Sequence, residues 1–400
     1  MTTTSGGRAT VPTVVTGRAW GMLALATIGF GLNFWAWALI SPLGPAYRDD
    51  LGLTSFQQAF LVAVPVIIGS LGRIPVGALT DRLGARVMFP AVSLATVAPV
   101  LFVGYLGDSY WRLILGGLFL GLGGTTFAVG VPFANAWFPP ERRGLALGIF
   151  GVGTGGTAVS AFTTVKLAEA NGRSFPFLLV AAVLAVYGVL AAVLLRDAPG
   201  RTVARGSLLA RTWATLRIPA TVQASFLYAV GFGGFVAFSV YLPTYLKNAY
   251  GLSQSDAAAR TAGFVVLAVV ARPLGGWLSD RLHPVPVLVT CFAVVTVLAA
   301  VAALELGLMP WATIAFLGMA AALGAAAGAC FALVARVAPP DKVGSVTGIV
   351  GAAGGLGGFF PPLVMGIVYG AFGNYRLGFA LLALTALAAA LYTRAITRAA

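Results

Sequence analysis

The sequence predicts an all-α membrane protein whose twelve transmembrane helices form two pseudo-symmetric six-helix bundles. Three observations support this fold class: the composition, the number of apolar segments and an internal repeat. Of the 400 residues, 59% are hydrophobic and only 9% are charged, whereas soluble domains carry about 25% charged residues. The chain has too little polar surface to cover itself in water, so we expect a lipid bilayer to be its solvent.

Twelve apolar segments follow one another along the chain. Each has about 20 residues or more, enough for a helix to cross the roughly 30 Å hydrocarbon core of a bilayer. A transmembrane β-barrel would instead show alternating segments of about 10 residues, and the sequence does not alternate in that way. The predicted segments are residues 19–40, 57–79, 88–107, 111–135, 144–166, 175–196, 219–246, 257–279, 285–306, 310–335, 343–370 and 375–396.

The longest polar stretch of the chain runs from Asp197 to Arg217. It divides the chain into an N-terminal six-helix bundle (residues 1–196), a cytoplasmic linker (197–218) and a C-terminal six-helix bundle (219–400). Residues 1–17 contain no early apolar run, so we do not expect a cleaved signal peptide.

The two halves of the chain repeat each other. Residues 72–89 read GRIPVGALTDRLGARVMF, and residues 271–288 read ARPLGGWLSDRLHPVPVL, at an offset of 199. A second pair of blocks, residues 139–155 and 339–355, shares Pro-Pro followed by an acid, a base and four glycines at an offset of 200. Two matches at nearly one offset indicate gene duplication, and hence two similar bundles.

Basic residues indicate how the chain is oriented. If the termini, the linker and the loops after even-numbered helices share one side, that side holds 16 of the 25 Lys and Arg residues and the other side holds seven. Both termini are therefore predicted to be cytoplasmic, with the protein in the cell membrane. The net charge of +14 does not predict a nucleic-acid partner, because the charges are spread over short loops.

Arg73 and Arg272 lie inside predicted helices. Each precedes the loop aspartate of its repeat by eight residues, a helical rise of about 12 Å, which places each guanidinium near the middle of the membrane. A charge at that depth costs roughly 2.5–3.5 kcal/mol, and no Asp or Glu is predicted there to offset it. An anionic substrate would supply the missing charge. The alternative is that each guanidinium donates to backbone carbonyls or extends toward the membrane surface.

Two loop blocks, GALTDRL and GWLSDRL, follow the second and eighth segments. Their glycines would allow close approach of helices, and their acids would accept from Arg or interact with a helix N-terminus. We expect them to stabilise one conformation rather than bind substrate. The residues concerned are Gly77, Asp81, Arg82, Gly276, Asp280 and Arg281.

Glycine-rich runs occur at residues 148–157 and 348–362. Small residues at every third or fourth position let membrane helices pack closely. The alternative is that backbone N–H groups near Pro361 and Pro362 help to solvate an anion. No strand precedes these glycines, so they do not indicate nucleotide binding.

Aromatic residues cluster in the seventh segment, where Tyr228 and Phe232 are spaced to share one helix face. Core packing and a substrate site both remain open for these rings and for Phe127. With one histidine and no metal-ligand cluster or nucleophile–base pair, we expect neither a cofactor nor enzymatic activity. Cys291 and Cys330 lie in apolar runs and are expected to be packing residues.

The chain resembles the major facilitator superfamily, on its twelve segments, its two halves and its G-x-L-[TS]-D-R-L blocks. Within that superfamily it is similar to the nitrate/nitrite porter family. The blocks that support this resemblance are GRIPVGALTDRLGAR (72–86), FAVGVPF (127–133), WFPPERRGLALG (137–148), FGGFVAF (232–238) and GAAGGLGGFFPP (351–362).

The resemblance implies roles for individual residues. Arg73 and Arg272 would grip the anion from the two halves, Phe127 and Phe232 would enclose it, and Tyr228 would lie beside it. In the fifth segment Thr154 would be a further substrate-binding residue, at a position where the family usually has Asn. The glycines that would let the fifth and eleventh helices slide are Gly151, Gly155, Gly354, Gly355 and Gly358.

The predicted function is secondary transport of nitrate, nitrite or both, by nitrate/nitrite exchange or with protons. Alternatives are transport of another small anion such as a carboxylate, efflux of hydrophobic drugs, or a non-transporting membrane receptor. We would expect a drug exporter to have a carboxylate within the membrane, and a receptor to have a sizeable soluble domain. The sequence indicates neither feature. We expect a monomer in the lipid bilayer.

Overall fold

The structure is a computed structural model that describes residues 16–139, 142–199, 208–338 and 343–399, and all regular structure in these ranges is helical. Twelve spans are long and apolar enough to cross a membrane, which confirms the predicted fold class and helix count. A further helix, the linker helix Leu208–Leu216, lies between the sixth and seventh spans. The spans are α1 Gly17–Leu51, α2 Ser55–Leu83, α3 Ala85–Leu106, α4 Tyr110–Trp137, α5 Arg143–Asn171, α6 Phe175–Leu194, α7 Pro219–Tyr250, α8 Gln254–Leu282, α9 Pro284–Ala303, α10 Leu308–Val337, α11 Ser345–Phe372 and α12 Arg376–Ala395.

The first span is longer than predicted. It consists of two helices, Gly17–Trp37 and Ile40–Leu51, whereas hydropathy ended it at residue 40. The second of these helices contains Pro45, and Arg48, Asp49 and Asp50 lie in its last turn, so its apolar signal is weak. The molecule has two ends, each formed by both bundles. We call the end at which Leu51 lies the far end, and the end at which the linker helix lies the linker end.

Several spans are interrupted near their middle. In α2 the helices Pro65–Leu71 and Arg73–Leu83 meet at Gly72, and in α11 helix Val343–Gly357 gives way to Phe360–Phe372. Short 3-10 turns divide α4 and α5 as well, at Gly121–Thr125 and at Val152–Gly155. Glycine favours such breaks because it has the lowest helix propensity after proline.

The residues after α6 connect the linker to the N-terminal bundle. Asp197 Oδ1 accepts hydrogen bonds from the backbone N–H groups of Ala85 (2.9 Å) and Arg86 (3.2 Å) at the start of α3. Gly84, just before them, has φ +88°, a left-handed conformation that glycine adopts without strain. A carboxylate at a helix N-terminus is stabilising, so the stretch predicted as a polar linker begins as a helix cap.

Close packing of α8 against α10 depends on glycine. An added Cβ would lie 2.1 Å from the Ala325 carbonyl oxygen at Gly275, and equally close to the Ala268 carbonyl oxygen at Gly324. The prediction that Gly77 and Gly276 serve this purpose is wrong, because a Cβ there would meet its nearest neighbours at 3.8 and 4.0 Å. The close approach in α8 occurs one residue earlier.

The glycine-rich spans behave differently from each other. In α11 an added Cβ would clash with Tyr228 at Gly354 and with Val236 at Gly358, which agrees with the predicted tight packing. In α5 nothing lies within 4 Å of a Cβ at Gly155, so this glycine makes no tight contact in this conformation, and its part in helix sliding stays a prediction. The tight positions of α5 are Gly153 and Gly156, which pack on α1.

We predict that Gly324→Ala lowers the free energy of unfolding by about 1–3 kcal/mol, the usual cost of overpacking, because the new methyl group meets a backbone carbonyl. Thermal denaturation in detergent would show this as a lower midpoint. The matched control is Gly263→Ala in α8, where an added Cβ meets no atom within 4 Å. Equal midpoints for the two variants would contradict the prediction.

Candidate functional site

Arg73 is the first residue of the last helix in α2, and its side chain is directed into the protein, with only 6% of the residue exposed. Its Nε donates to the carbonyl oxygen of Gly124 in α4 (3.3 Å), and its Nη1 donates to the carbonyl oxygen of Gly351 in α11. Its Cζ lies 4.8 Å from the ring centroid of Phe127. The guanidinium therefore links the N-terminal bundle to α11 of the C-terminal bundle.

Arg272, its counterpart in the repeat, lies in α8 and is partly buried. Its Nη2 donates to the hydroxyl of Tyr228 at 2.7 Å. Its Cζ lies 5.3 Å from the ring centroid of Phe232 and 5.8 Å from that of Phe331. Aromatic faces attract cations, so both guanidinium groups are held mainly by rings and neutral oxygens.

Neither arginine forms an ion pair within the part of the chain that the structure describes. The ion pairs found there join residues outside the site: Arg112–Asp108, Arg173–Asp50, Lys247–Asp49, Arg260–Asp256 and Arg376–Glu305. The alternative was that backbone carbonyls accept hydrogen bonds from the arginines. Arg73 does donate to two such carbonyls, through Nε and Nη1, and among the described residues its remaining N–H groups do not. A guanidinium has five N–H groups, so both residues retain donors and net positive charge.

Four aromatic rings connect the two guanidinium groups. Tyr228 and Phe232 stack at 5.0 Å with their planes 5° apart, which confirms that they share a helix face. Phe331 of α10 lies 4.6 Å from Tyr228 and 6.3 Å from Phe127 of the other bundle. Our sequence analysis missed Phe331, although it is the last aromatic residue of an Ala- and Gly-rich span.

A cavity of about 290 Å³ runs from Arg73 and Phe127 toward the linker end. Gly77 and Asp81 line it on the α2 side, and the linker helix contributes to its wall. It provides a partly polar route between Arg73 and the linker end. Its other polar lining residues are Asn135, Thr212, Thr215, Ser345 and Thr347.

The far end is closed by contacts between the two bundles. Lys247 Nζ lies 2.6 Å from Asp49 Oδ2, and Ser41 Oγ donates to the Val240 carbonyl oxygen at 2.7 Å. Nearby, an added Cβ at Gly366 of α11 would come within 2.5 Å of the Ala59 side chain of α2. The site is therefore connected to one end of the bundle and sealed from the other.

The remaining predicted residues lie around this site or beyond it. The Thr154 hydroxyl donates to the Gly151 carbonyl at 2.8 Å, and Thr154 lines neither the large cavity nor a smaller one beside Arg73. An added Cβ at Gly151 would lie 3.8 Å from Arg272 Nε.

The residues of the two loop blocks lie at the linker end. Asp81 lines the large cavity, and Arg82 is exposed. In the second block Asp280 is exposed, and the Cζ of Arg281 lies 4.2 Å from the Trp277 ring centroid. Both blocks thus lie toward the linker end, and their conformational role stays a prediction.

Comparison with known proteins places this architecture in a family. The family model described as Major Facilitator Superfamily matches residues 26–362, with a second match over residues 224–399. The chain belongs to the major facilitator superfamily. This is a family of transporters, in agreement with the expectation that the protein is not an enzyme.

Curated relatives refine the assignment. The chain is 52% identical over 374 residues to a probable nitrate/nitrite transporter, NarK2, of Mycobacterium tuberculosis, covering 93% of this chain and 95% of the relative. It is 38% identical to a nitrite extrusion protein of Bacillus subtilis, and the match covers 92% of this chain and 91% of that relative. It is 36% identical to a probable nitrate transporter, NarT, of Staphylococcus carnosus, and the match covers 90% of this chain and 92% of that relative. These relatives confirm the resemblance to the nitrate/nitrite porter family.

Solved structures of the superfamily share the fold. A bacterial homolog of the human lysosomal transporter Spinster, in an inward-facing and occupied conformation, superposes with a TM-score of 0.70 at 18% sequence identity. The superposition covers 96% of this chain and 97% of the homolog's chain. At that identity the likeness establishes the fold alone.

We predict that Tyr228→Phe weakens anion binding about tenfold. The change removes the hydroxyl that accepts from Arg272, and a hydrogen bond to a charged group contributes about 1.5–3 kcal/mol. Nitrate titration of the purified protein by calorimetry measures the effect. The matched control is Tyr187→Phe, whose hydroxyl donates to the Leu25 carbonyl within the N-terminal bundle. Unchanged affinity in Tyr228→Phe would show that this hydroxyl does not orient Arg272 for binding.

Proposed function

We propose that this protein is a secondary transporter that carries nitrate, nitrite or both across the cell membrane by alternating access. The proposal depends on one observation: two guanidinium groups at equivalent positions of the repeat, Arg73 and Arg272, have no carboxylate partner among the described residues. The names of the curated relatives support the same anions.

The chemistry of the site suits a planar oxyanion. Each guanidinium is a flat fork of N–H donors that stays charged at any physiological pH, and aromatic rings flank both forks. In a medium of low dielectric constant an unpaired charge costs several kcal/mol. A bound monoanion offsets part of that cost on both arginines at once, so anion binding draws the two bundles together.

The two ends of the molecule support alternating access. The large cavity opens the Arg73 side of the site toward the linker end, and the contacts around Asp49 and Lys247 close the far end. If the excess of basic residues places the linker end in the cytoplasm, this conformation faces inward. Rocking of one bundle against the other about the central site would open the far end.

The coupling follows from the same charges. With the site empty, Arg73 and Arg272 repel each other, so reorientation is easier when an anion is bound, which favours exchange of nitrate for nitrite. Proton-coupled uptake would require a titratable group that moves with the anion. In one uptake assay, dependence on an internal counter-anion indicates exchange, and dependence on a pH gradient indicates proton coupling.

One chain contains the whole proposed site, so we infer that a monomer is sufficient.

Uptake into proteoliposomes tests the proposed function. We expect the purified protein to transport nitrate and nitrite, and we expect formate not to compete. Arg73→Lys and Arg272→Lys should each lower transport about tenfold or more, because an ammonium group cannot reproduce the planar fork and each lost bond to a charged group contributes about 1.5–3 kcal/mol.

The control for these variants is Arg112→Lys, an exposed arginine paired with Asp108, which should transport normally. Absence of transport by the wild-type protein would refute the function. Near-normal transport by both lysine variants would leave the function standing and remove the proposed site.

A cysteine pair tests the closed end. In the double variant Asp49→Cys/Lys247→Cys, a bifunctional methanethiosulfonate reagent that spans the length of the lost side chains should join α1 to α7, because the native side chain tips are in contact. We expect transport to be lost on cross-linking and restored by a thiol reductant, since the far end must open in every cycle. Each single-cysteine variant serves as a control for modification by the reagent. Full transport by a cross-linked sample would rule out the opening of this end.

A further inference from the structure

A second, much smaller cavity lies on the other side of Arg73, toward the far end. Its volume is about 10 Å³, close to the least space that can hold one water molecule. Ser70, Arg73 and Gly355 line it, with Phe232 and Val236 from α7. It therefore lies between the two bundles and is shared by α2, α7 and α11.

Ser70 is the unexplained polar group of this cavity. Its residue is only 1% exposed, and its hydroxyl makes no hydrogen bond to any other residue that the structure describes. Many hydroxyls in the spans donate back to a carbonyl of their own helix, as those of Thr96 to Val92 and Ser279 to Gly275 do, whereas Ser225 Oγ of α7 is a buried hydroxyl without a partner. What distinguishes Ser70 is that it lines the small cavity beside Arg73, so a group held in that cavity can pair with its hydroxyl, and pairing removes the cost of burying a polar group.

Geometry places the Ser70 hydroxyl beside the charge of Arg73. The two residues are three positions apart and lie on the same face of α2. An added Cβ at Gly355 would lie 2.2 Å from Ser70 Oγ and 3.7 Å from Arg73 Cζ, so both groups border the same small space. Glycine at position 355 keeps that space open.

The C-terminal half offers no equivalent donor. At the offset of 199 that relates Arg73 to Arg272, Ser70 corresponds to Val269. Duplication thus explains two guanidinium groups, but the hydroxyl belongs to one side only. An anion in the site meets two forks and one additional neutral donor.

We propose that Ser70 is a specificity-determining residue, which donates a hydrogen bond to one oxygen atom of the bound anion in this cavity; the inference rests on the proposed function. Nitrite has two oxygen atoms, and the two guanidinium groups are sufficient to bind them. Nitrate has a third, and the small cavity has room for one such atom. Ser70 therefore favours nitrate over nitrite.

Competition and uptake assays in proteoliposomes test this assignment. In Ser70→Ala we expect the KM for nitrate to rise about tenfold, the effect of one lost hydrogen bond to a charged group, and the KM for nitrite to stay within about twofold. Ser160→Ala is the control, because its buried hydroxyl contacts Thr164 and lines neither cavity. Both kinetic constants should then match the wild type.

A second variant leaves the hydroxyl in place and fills the cavity. Gly355→Ala should also raise the KM for nitrate more than that for nitrite, whereas Gly263→Ala, at an open position, should change neither. Melting curves of each purified variant exclude unfolding as the cause.

The outcomes are distinguishable. A wild-type protein that transports neither anion refutes the proposed function. If the wild type transports nitrate but Ser70→Ala leaves its KM unchanged, or raises the KM for nitrate and nitrite equally, the function stands and the role of Ser70 is overturned.

Discussion

Two positive charges at the centre of a twelve-helix bundle are the constraint on which the rest of this structure depends. A guanidinium cannot lose its proton in a protein, so its surroundings must supply compensation. For Arg73 these are two backbone carbonyls and the ring of Phe127; for Arg272 they are the hydroxyl of Tyr228 and two rings. Each set is neutral, so net positive charge remains on both residues.

The irregular helices follow from that constraint. Gly124, whose carbonyl accepts from Arg73, lies in the 3-10 turn of α4. Gly351 has no side chain to keep α11 away, since an added Cβ would lie 2.8 Å from the Phe127 ring. The bond from Arg73 to Gly351 also joins the two bundles, so it must break and form again whenever they move apart. Glycine thus permits close contact between the bundles at these positions.

Duplication made the fold symmetric but left the chemistry of the site asymmetric. Arg73 and Arg272 are equivalent in the repeat, yet Ser70 corresponds to Val269, and Phe127 corresponds to Ala326. The C-terminal bundle instead supplies Tyr228 and Phe331 to its arginine. The two equivalent guanidinium groups therefore lie in unlike surroundings.

The sequence by itself determined the solvent, the number of spans, the repeat and the two buried arginines, because hydropathy and identical blocks are local properties of the chain. It also predicted the shared face of Tyr228 and Phe232, which depends only on helical spacing. The tertiary structure decided which glycines permit close contact: Gly275 and Gly156 do so, whereas a Cβ would fit without a clash at Gly276 and Gly155. It also revealed Phe331 and Ser70 beside the arginines. The physical reason is that a side chain's partners across a bundle depend on helix rotation and interruption, which no local pattern records.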